Sequence, residues 1–139
     1  MHLQNRGKAI FDFQMLEGDV YGKLERLAQR LETGQQELFE RHRIPAIVNR
    51  VGSASCIYFS TKQPDDWWDN LECHNTEFDI RYRRALIQRG IYHFPMPVKQ
   101  GSISFAHSEA DIEQTLEATD DALGELTKQG GTFPPFQAQ

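Results

Sequence analysis

Hydrophobic positions in this chain recur at helical spacing in three places and alternate at strand spacing between them. Val20, Leu24, Leu27, Leu31 and Leu38 are separated by 4, 3, 4 and 7 positions, which places them on one stripe of a helix. Glu25, Arg26, Gln29, Arg30, Glu32 and Glu37 fill the opposite face. The pattern predicts a helix from about Asp19 to His42. Gly18-Asp19 opens it with Asp19 as N-cap, and Pro45 prevents it from continuing. Arg41-His42-Arg43 puts positive charge at the end where the helix dipole favours it. Gly34 costs the interior about 1 kcal/mol relative to alanine, which marks either a close neighbour or a break.

After Pro45 the period shortens. Two strands are predicted, Ala46 to Val51 and Ala54 to Thr61, joined by Gly52-Ser53, a pair suited to a type II′ turn. Ile57 and Phe59 fall on one face of the second strand, Cys56 and Tyr58 on the other. Gln63-Pro64-Asp65-Asp66 reads as a loop, with Trp67-Trp68 in it or in a short helical turn. The expected placement of that pair is one core tryptophan beside a half-exposed one. A second helix is predicted from Thr76 to Arg89, with Thr76-Glu77-Phe78-Asp79 as an approximate capping box. Its stripe is Phe78, Tyr82, Ala85, Leu86 and Arg89, and Gly90 suits the residue just past its end. Short strands at Ile91 to Phe94 and Ser102 to Phe105 lead to a last helix, Glu109 to Lys128, with Ser108 as N-cap and Asp111 three positions on. Ile112, Leu116, Thr119, Leu123 and Leu126 form its stripe, and Gly130-Gly131 ends it.

This order predicts an α+β fold: a small, mostly antiparallel sheet of about four strands with helices packed on one face. Residues 18–129 form one domain. Residues 1–17 are ambiguous, since Ala9 to Leu16 either extends the first helix backwards or docks elsewhere, and residues 130–139 read as a flexible tail.

Composition narrows the function classes. With 39% hydrophobic and 25% charged residues, the chain suits a folded globule rather than a disordered segment. No apolar run approaches the roughly 20 residues needed to span a bilayer, and no apolar region follows Met1-His2-Leu3-Gln4-Asn5-Arg6, so a cytoplasmic protein without membrane contact is expected. A net charge of −5 argues against nucleic-acid binding, and Arg81-Tyr82-Arg83-Arg84 is expected to be the solvated face of a helix. Cys56 and Cys73 are expected as reduced thiols.

Several segments together resemble the C-terminal small domain of class III pyridoxal-phosphate (PLP) aminotransferases, the group that includes glutamate-1-semialdehyde aminomutase. They are the helix start Glu17-Gly18-Asp19-Val20-Tyr21, the hairpin over Val48 to Ser60 and the Gly90-Ile91-Tyr92 step. The proline loop follows, and then Ser104-Phe105-Ala106-His107-Ser108-Glu109-Ala110-Asp111-Ile112. The resemblance covers residues 9 to 128. It implies an intact enzyme that uses PLP, held as a Schiff base by a lysine on a large domain. Neither that domain nor its signature surrounds Lys8, Lys23, Lys62, Lys99 or Lys128. The resemblance therefore implies no catalytic or cofactor-binding residue in this chain and no cofactor bound by it alone. Its implied role is to complete the substrate pocket and dimer of the intact enzyme. The implied partner is the missing large domain or another copy of the chain in a homo-oligomer. The alternative is a stand-alone, non-catalytic interaction module derived from the same fold.

Within that resemblance, Pro97-Val98-Lys99-Gln100 stands where aminomutases look like Pro-Ser-x-Phe-Glu-Ala, so Lys99 replaces a carboxylate that reaches the substrate. Lys99 and Gln100 are the substrate-pocket candidates. Pro97, His107 and Ser108 belong to the structural signature. His107 is expected to bond nearby backbone, and Ser108 to act as a cap worth about 1 kcal/mol. Two other chemistries are weak. In Cys73-His74, adjacent residues rarely orient a base onto the neighbouring sulfur. His42, His74, His93 and His107 lack metal-ligand spacing, so no metal site is expected.

Overall fold

Asp19 begins the first helix as its side chain allows: the carboxylate accepts the Gly22 N–H at 3.1 Å, and α1 runs Val20–Arg41. The computed structural model describes residues 19–129. Gly18, the ambiguous segment 1–17, the Gly130-Gly131 stop and the tail 130–139 lie outside the described residues. Leu27, Leu38 and Phe39 turn into the core. Gly34 marks a close neighbour and no break, because a Cβ there would come within 2.6 Å of Leu116 Cδ1.

β1 (Ile47–Val51) and β2 (Ala54–Tyr58) pair antiparallel with Val51 opposite Ala54. Gly52-Ser53 is thus a two-residue turn, and Gly52 alone of the pair has positive φ, at 60°, as type II′ requires. Ile57 and Phe59 are buried, while Cys56 and Tyr58 are half-buried on the other face.

The helix α2 (Trp67–Cys73) follows, capped by Asp66, whose side chain accepts the Asp69 N–H. That cap sets the phase of the helix, so Asn70 takes the inward position and both tryptophans point out. Trp67 is 64% exposed and Trp68 73%, which overturns the expectation of a core tryptophan.

In α3 (Thr76–Gln88) the N-cap is Asn75, accepting from the Phe78 N–H, and not Thr76. The expected capping box fails because Asp79 turns into the interior instead of back toward the helix start. Gly90 closes the helix at φ 81°.

The strand expected at Ile91 to Phe94 does not form. The Ile91 N–H is used to end α3, bonding Leu86 O at 3.0 Å, and the Phe94 carbonyl is taken by Arg83. The Ser102 to Phe105 strand shrinks to β3 (Gly101–Ser102), antiparallel to β2. Beyond it, Ile103 N–H turns to Ser53 O and Ser104 N–H to His107. Among the described residues the sheet therefore has three strands in the order β1-β2-β3, one fewer than expected.

The last helix, α4 (Glu109–Lys128), has the full capping box between Ser108 and Asp111. All five residues of its predicted stripe are buried. α1 lies against β1 and β2, and α4 packs on α1 and α3. Edge-on aromatic contacts join the layers, with Phe39–Phe59 centroids 5.5 Å apart and Phe59–Tyr82 5.2 Å. No helix among the described residues is long and apolar enough to cross a membrane.

Candidate functional site

Past Gly90 the chain runs without strand pairing until β3, and this loop walls one side of a cleft of about 630 Å³. Leu31, Gln35, Ile57 and Ile112 line the cleft from α1, β2 and α4. Lys99 and Gln100, the two substrate-pocket candidates, both border it and are exposed. The Lys99 ammonium lies 5.5 Å from the centre of the Phe94 ring and pairs with no carboxylate among the described residues. Pro97 sits half-buried in the turn before them. A cation over an aromatic face at the mouth of a cleft is placed to attract an anionic group.

His107 also lines the cleft, and its Nδ1 accepts the Ser104 N–H at 2.9 Å and lies 3.0 Å from Ser104 Oγ. The ring therefore braces the turn into α4. Asp111 accepts the Ser108 N–H at 2.7 Å, and Ser108 Oγ accepts the Asp111 N–H at 3.3 Å. The Ser108 bonds hold the Asp111 carboxyl below the usual carboxylate range.

Beneath the loop lies a buried cluster that the pattern of residues did not suggest. Asp79 is fully buried and Arg83 is 3% exposed. Asp79 Oδ1 accepts from Arg83 Nε at 2.6 Å, while Oδ2 meets His74 Nε2 at 2.9 Å and accepts the Val98 N–H at 2.8 Å. Because His74 Nδ1 accepts the Phe59 N–H at 3.1 Å, the ring is neutral, with its proton on Nε2 facing Asp79. Burial alone raises the Asp79 pKa, but bonds from His74, the Val98 amide and Arg83 outweigh it and hold the carboxyl ionised below its usual range.

Arg83 completes the cluster by donating to Phe94 O at 3.0 Å and Lys99 O at 3.1 Å. It was expected in solvent with Arg81 and Arg84. The signal that would have found it is an Asp and an Arg four positions apart on the apolar side of α3. Two more groups adjoin the loop. The Cys56 thiol, raised in pKa chiefly by burial, reaches Val98 O at 3.4 Å. His93 is pushed down to about 4 by burial first and by Arg83 second.

The described lysines do not fit an aldehyde cofactor held covalently. Lys62 is tied to Asp69 at 2.9 Å, Lys23 to Phe105 O at 2.8 Å, and Lys99 and Lys128 are exposed. None is buried beside groups arranged for a phosphate. With both ring nitrogens of His74 engaged, it is no base for Cys73. Among the described residues no cluster of three or more His, Cys, Asp and Glu is grouped to hold a metal.

No family model matches the chain. It is 36% identical over 107 residues to a glutamate-1-semialdehyde 2,1-aminomutase of Alkaliphilus metalliredigens, covering 77% of this chain and 24% of that protein. Against aminomutase 2 of Bacillus mycoides the identity is 35% over 108 residues, or 78% and 25% of the two. The chain thus spans about a quarter of the length of the curated relatives it matches.

Among solved structures, a glutamate-1-semialdehyde aminomutase variant from Pseudomonas aeruginosa PAO1, in complex with PMP, superposes with a TM-score of 0.71 at 27% identity. That match covers 78% of this chain and 24% of the other. An omega-transaminase from Sphaerobacter thermophilus gives 0.67 at 25%, covering 77% and 24%. In sequence and in fold, the chain corresponds to the C-terminal domain of glutamate-1-semialdehyde aminomutases and class III transaminases.

Proposed function

We propose that this chain serves as the small domain of a cytoplasmic, dimeric class III enzyme, completing the substrate pocket of a large domain that carries PLP. In this reading the chain holds no cofactor alone, and Lys99 and Gln100 face the substrate. The observation that supports it is a similarity of 36% identity confined to a quarter of the aminomutase. PLP supplies an electron sink for amino-group chemistry when bound to the large domain. The present residues shape the pocket mouth and offer a cation to an anionic substrate group.

The test has two arms. The purified chain, mixed with PLP and an amino donor, is expected to give neither the visible absorbance of a protein-bound cofactor nor keto-acid product. Co-expressed with the remaining three-quarters of an aminomutase-like enzyme, it is expected to restore turnover. In that complex Lys99→Ala should raise KM about tenfold with little change in kcat, the scale of one charged hydrogen bond. Turnover by the chain alone overturns the reading.

A second reading, a non-catalytic interaction module, draws on the exposure of Trp67, Trp68 and Leu71. It predicts a partner-bound state and no effect of Lys99→Ala.

A further inference from the structure

The loop between α3 and β3 lacks the usual means of holding an irregular segment in place. It has no strand ladder from Ile91 to Gln100. Its tip contains Val98 at φ 56°, a left-handed conformation that a β-branched side chain adopts at a cost. A segment of this kind is expected to sample many conformations unless its surroundings over-determine one.

The surroundings do so. Four backbone groups within six residues end on buried or half-buried side chains: Phe94 O and Lys99 O on Arg83, the Val98 N–H on Asp79, and Val98 O on Cys56 Sγ. Arg83 and Asp79 sit one turn apart on α3, joined at 2.6 Å, so one rigid helix face supplies three of these four tethers. His74 holds the remaining edge of the carboxylate, and its own orientation is fixed by the Phe59 amide of the core. The guanidinium is suited to this task. Its planar fork serves a carboxylate and two carbonyls at once, whereas an ammonium is a point donor without that geometry.

We propose that Asp79 and Arg83 are positioning residues. The buried pair fixes the Phe94–Lys99 backbone, including the left-handed Val98, so that Lys99 and Gln100 are presented at the cleft in one arrangement before any partner or substrate arrives. The consequence for substrate recognition rests on the function proposed above. The positioning itself is a property of this chain and is measured without the large domain.

The experiment is NMR on the full chain and two variants, with amide exchange and backbone relaxation read residue by residue. In the parent, the Val98 amide exchanges slowly and Lys99 and Gln100 relax like the helices. Arg83→Lys speeds exchange at Val98 roughly tenfold, the loss of about one charged hydrogen bond. Because Arg83→Lys also touches the core, Val98→Pro is the second variant. It removes the amide that Asp79 holds, and its ring forbids positive φ, yet it changes no residue of α3 and leaves the Arg83 and His74 bonds to Asp79 in place. In Val98→Pro the amides of Lys99 to Gly101 become mobile while exchange in α1, α3 and α4 stays as in the parent. A merely structural role would loosen the helices together with the loop.

A loop that remains ordered in both variants overturns the proposal, as does a parent Val98 amide that exchanges as fast as an exposed one. If the loop is clamped as described and Lys99→Ala leaves KM unchanged in the restored enzyme, the functional reading fails and the positioning stands.

Discussion

At Gly34 two opposing contributions are large enough to compare. Replacing it with alanine favours the helix by about 1 kcal/mol, since glycine is costly in a helix interior. The added Cβ would lie 2.6 and 2.7 Å from the two methyl carbons of Leu116, which is buried at the α1–α4 contact and has little room to retreat. Overpacking of that kind costs about 1–3 kcal/mol. Gly34→Ala is therefore expected to lower stability by roughly 1 kcal/mol net, read as a lower urea midpoint at unchanged slope.

His93 governs a second residue-level outcome. Its folded pKa of about 4 lies below the ordinary value of 6.5, so between these pH values the unfolded chain binds a proton that the folded chain refuses. Stability is intact above 6.5 and declines as pH falls toward 4, by about 3 kcal/mol. Arg83 opposes the imidazolium and Asp79 favours it, so the loss reflects burial and Arg83 together. Asp79, depressed below 3.8, adds its own loss only at still lower pH, as its carboxylate takes up a proton. His93→Gln should flatten the slope between pH 6.5 and 4 in a series of denaturation curves. An unchanged slope would show that His93 is protonated freely in the folded chain.

At the scale of elements, the helices could be read from the residues because each carries its own instructions. The cap at Asp19, the capping box of Ser108 and Asp111, and the α4 stripe are local features that the structure uses as written, while in the α1 stripe Val20, Leu27 and Leu38 are buried and Leu24 and Leu31 only half-buried. Strands depend on a partner that the sequence does not name. Ile91 to Phe94 alternates adequately, yet Arg83 takes the Phe94 carbonyl and Leu86 O takes the Ile91 N–H, so its backbone is engaged outside the sheet. The same dependence on distant partners hid the Asp79 cluster: Asp79 looked like part of a cap and Arg83 like a solvated base. Lys99 and Gln100 were named from the resemblance of the proline loop and His107 as part of its structural signature, and all three border the cleft. For α4 the local instruction is measurable. Ser108→Ala removes the hydroxyl that accepts the Asp111 N–H and should cost about 1 kcal/mol in a chemical denaturation curve.

The described residues display large apolar side chains outside the core. Trp67, Trp68 and Leu71 stand out from α2, and Tyr92, Phe94, Met96 and Phe105 from the segment around the cleft, each between 49% and 73% exposed. Aromatic groups so displayed are characteristic of surfaces that another protein covers. The net charge of −5 gives each copy a repulsion that opposes contact between like surfaces. Salt screens that repulsion, and sulfate also strengthens apolar burial, so both effects act in the same direction.

The isolated chain is therefore expected to self-associate as concentration rises in sedimentation experiments, and more so in sulfate. Replacing Trp67 and Trp68 together by serine should reduce the association while leaving the unfolding free energy within about 0.5 kcal/mol, since neither side chain supports the core. If association persists undiminished in that variant, the contact lies instead on the aromatic rim of the cleft. If the function proposed above holds, co-expression with the large domain should then suppress it, because the same rim would be covered. A chain that stays monomeric at every concentration and salt level would show that these aromatics do not drive contact between copies, leaving a different protein as the occupant of that surface.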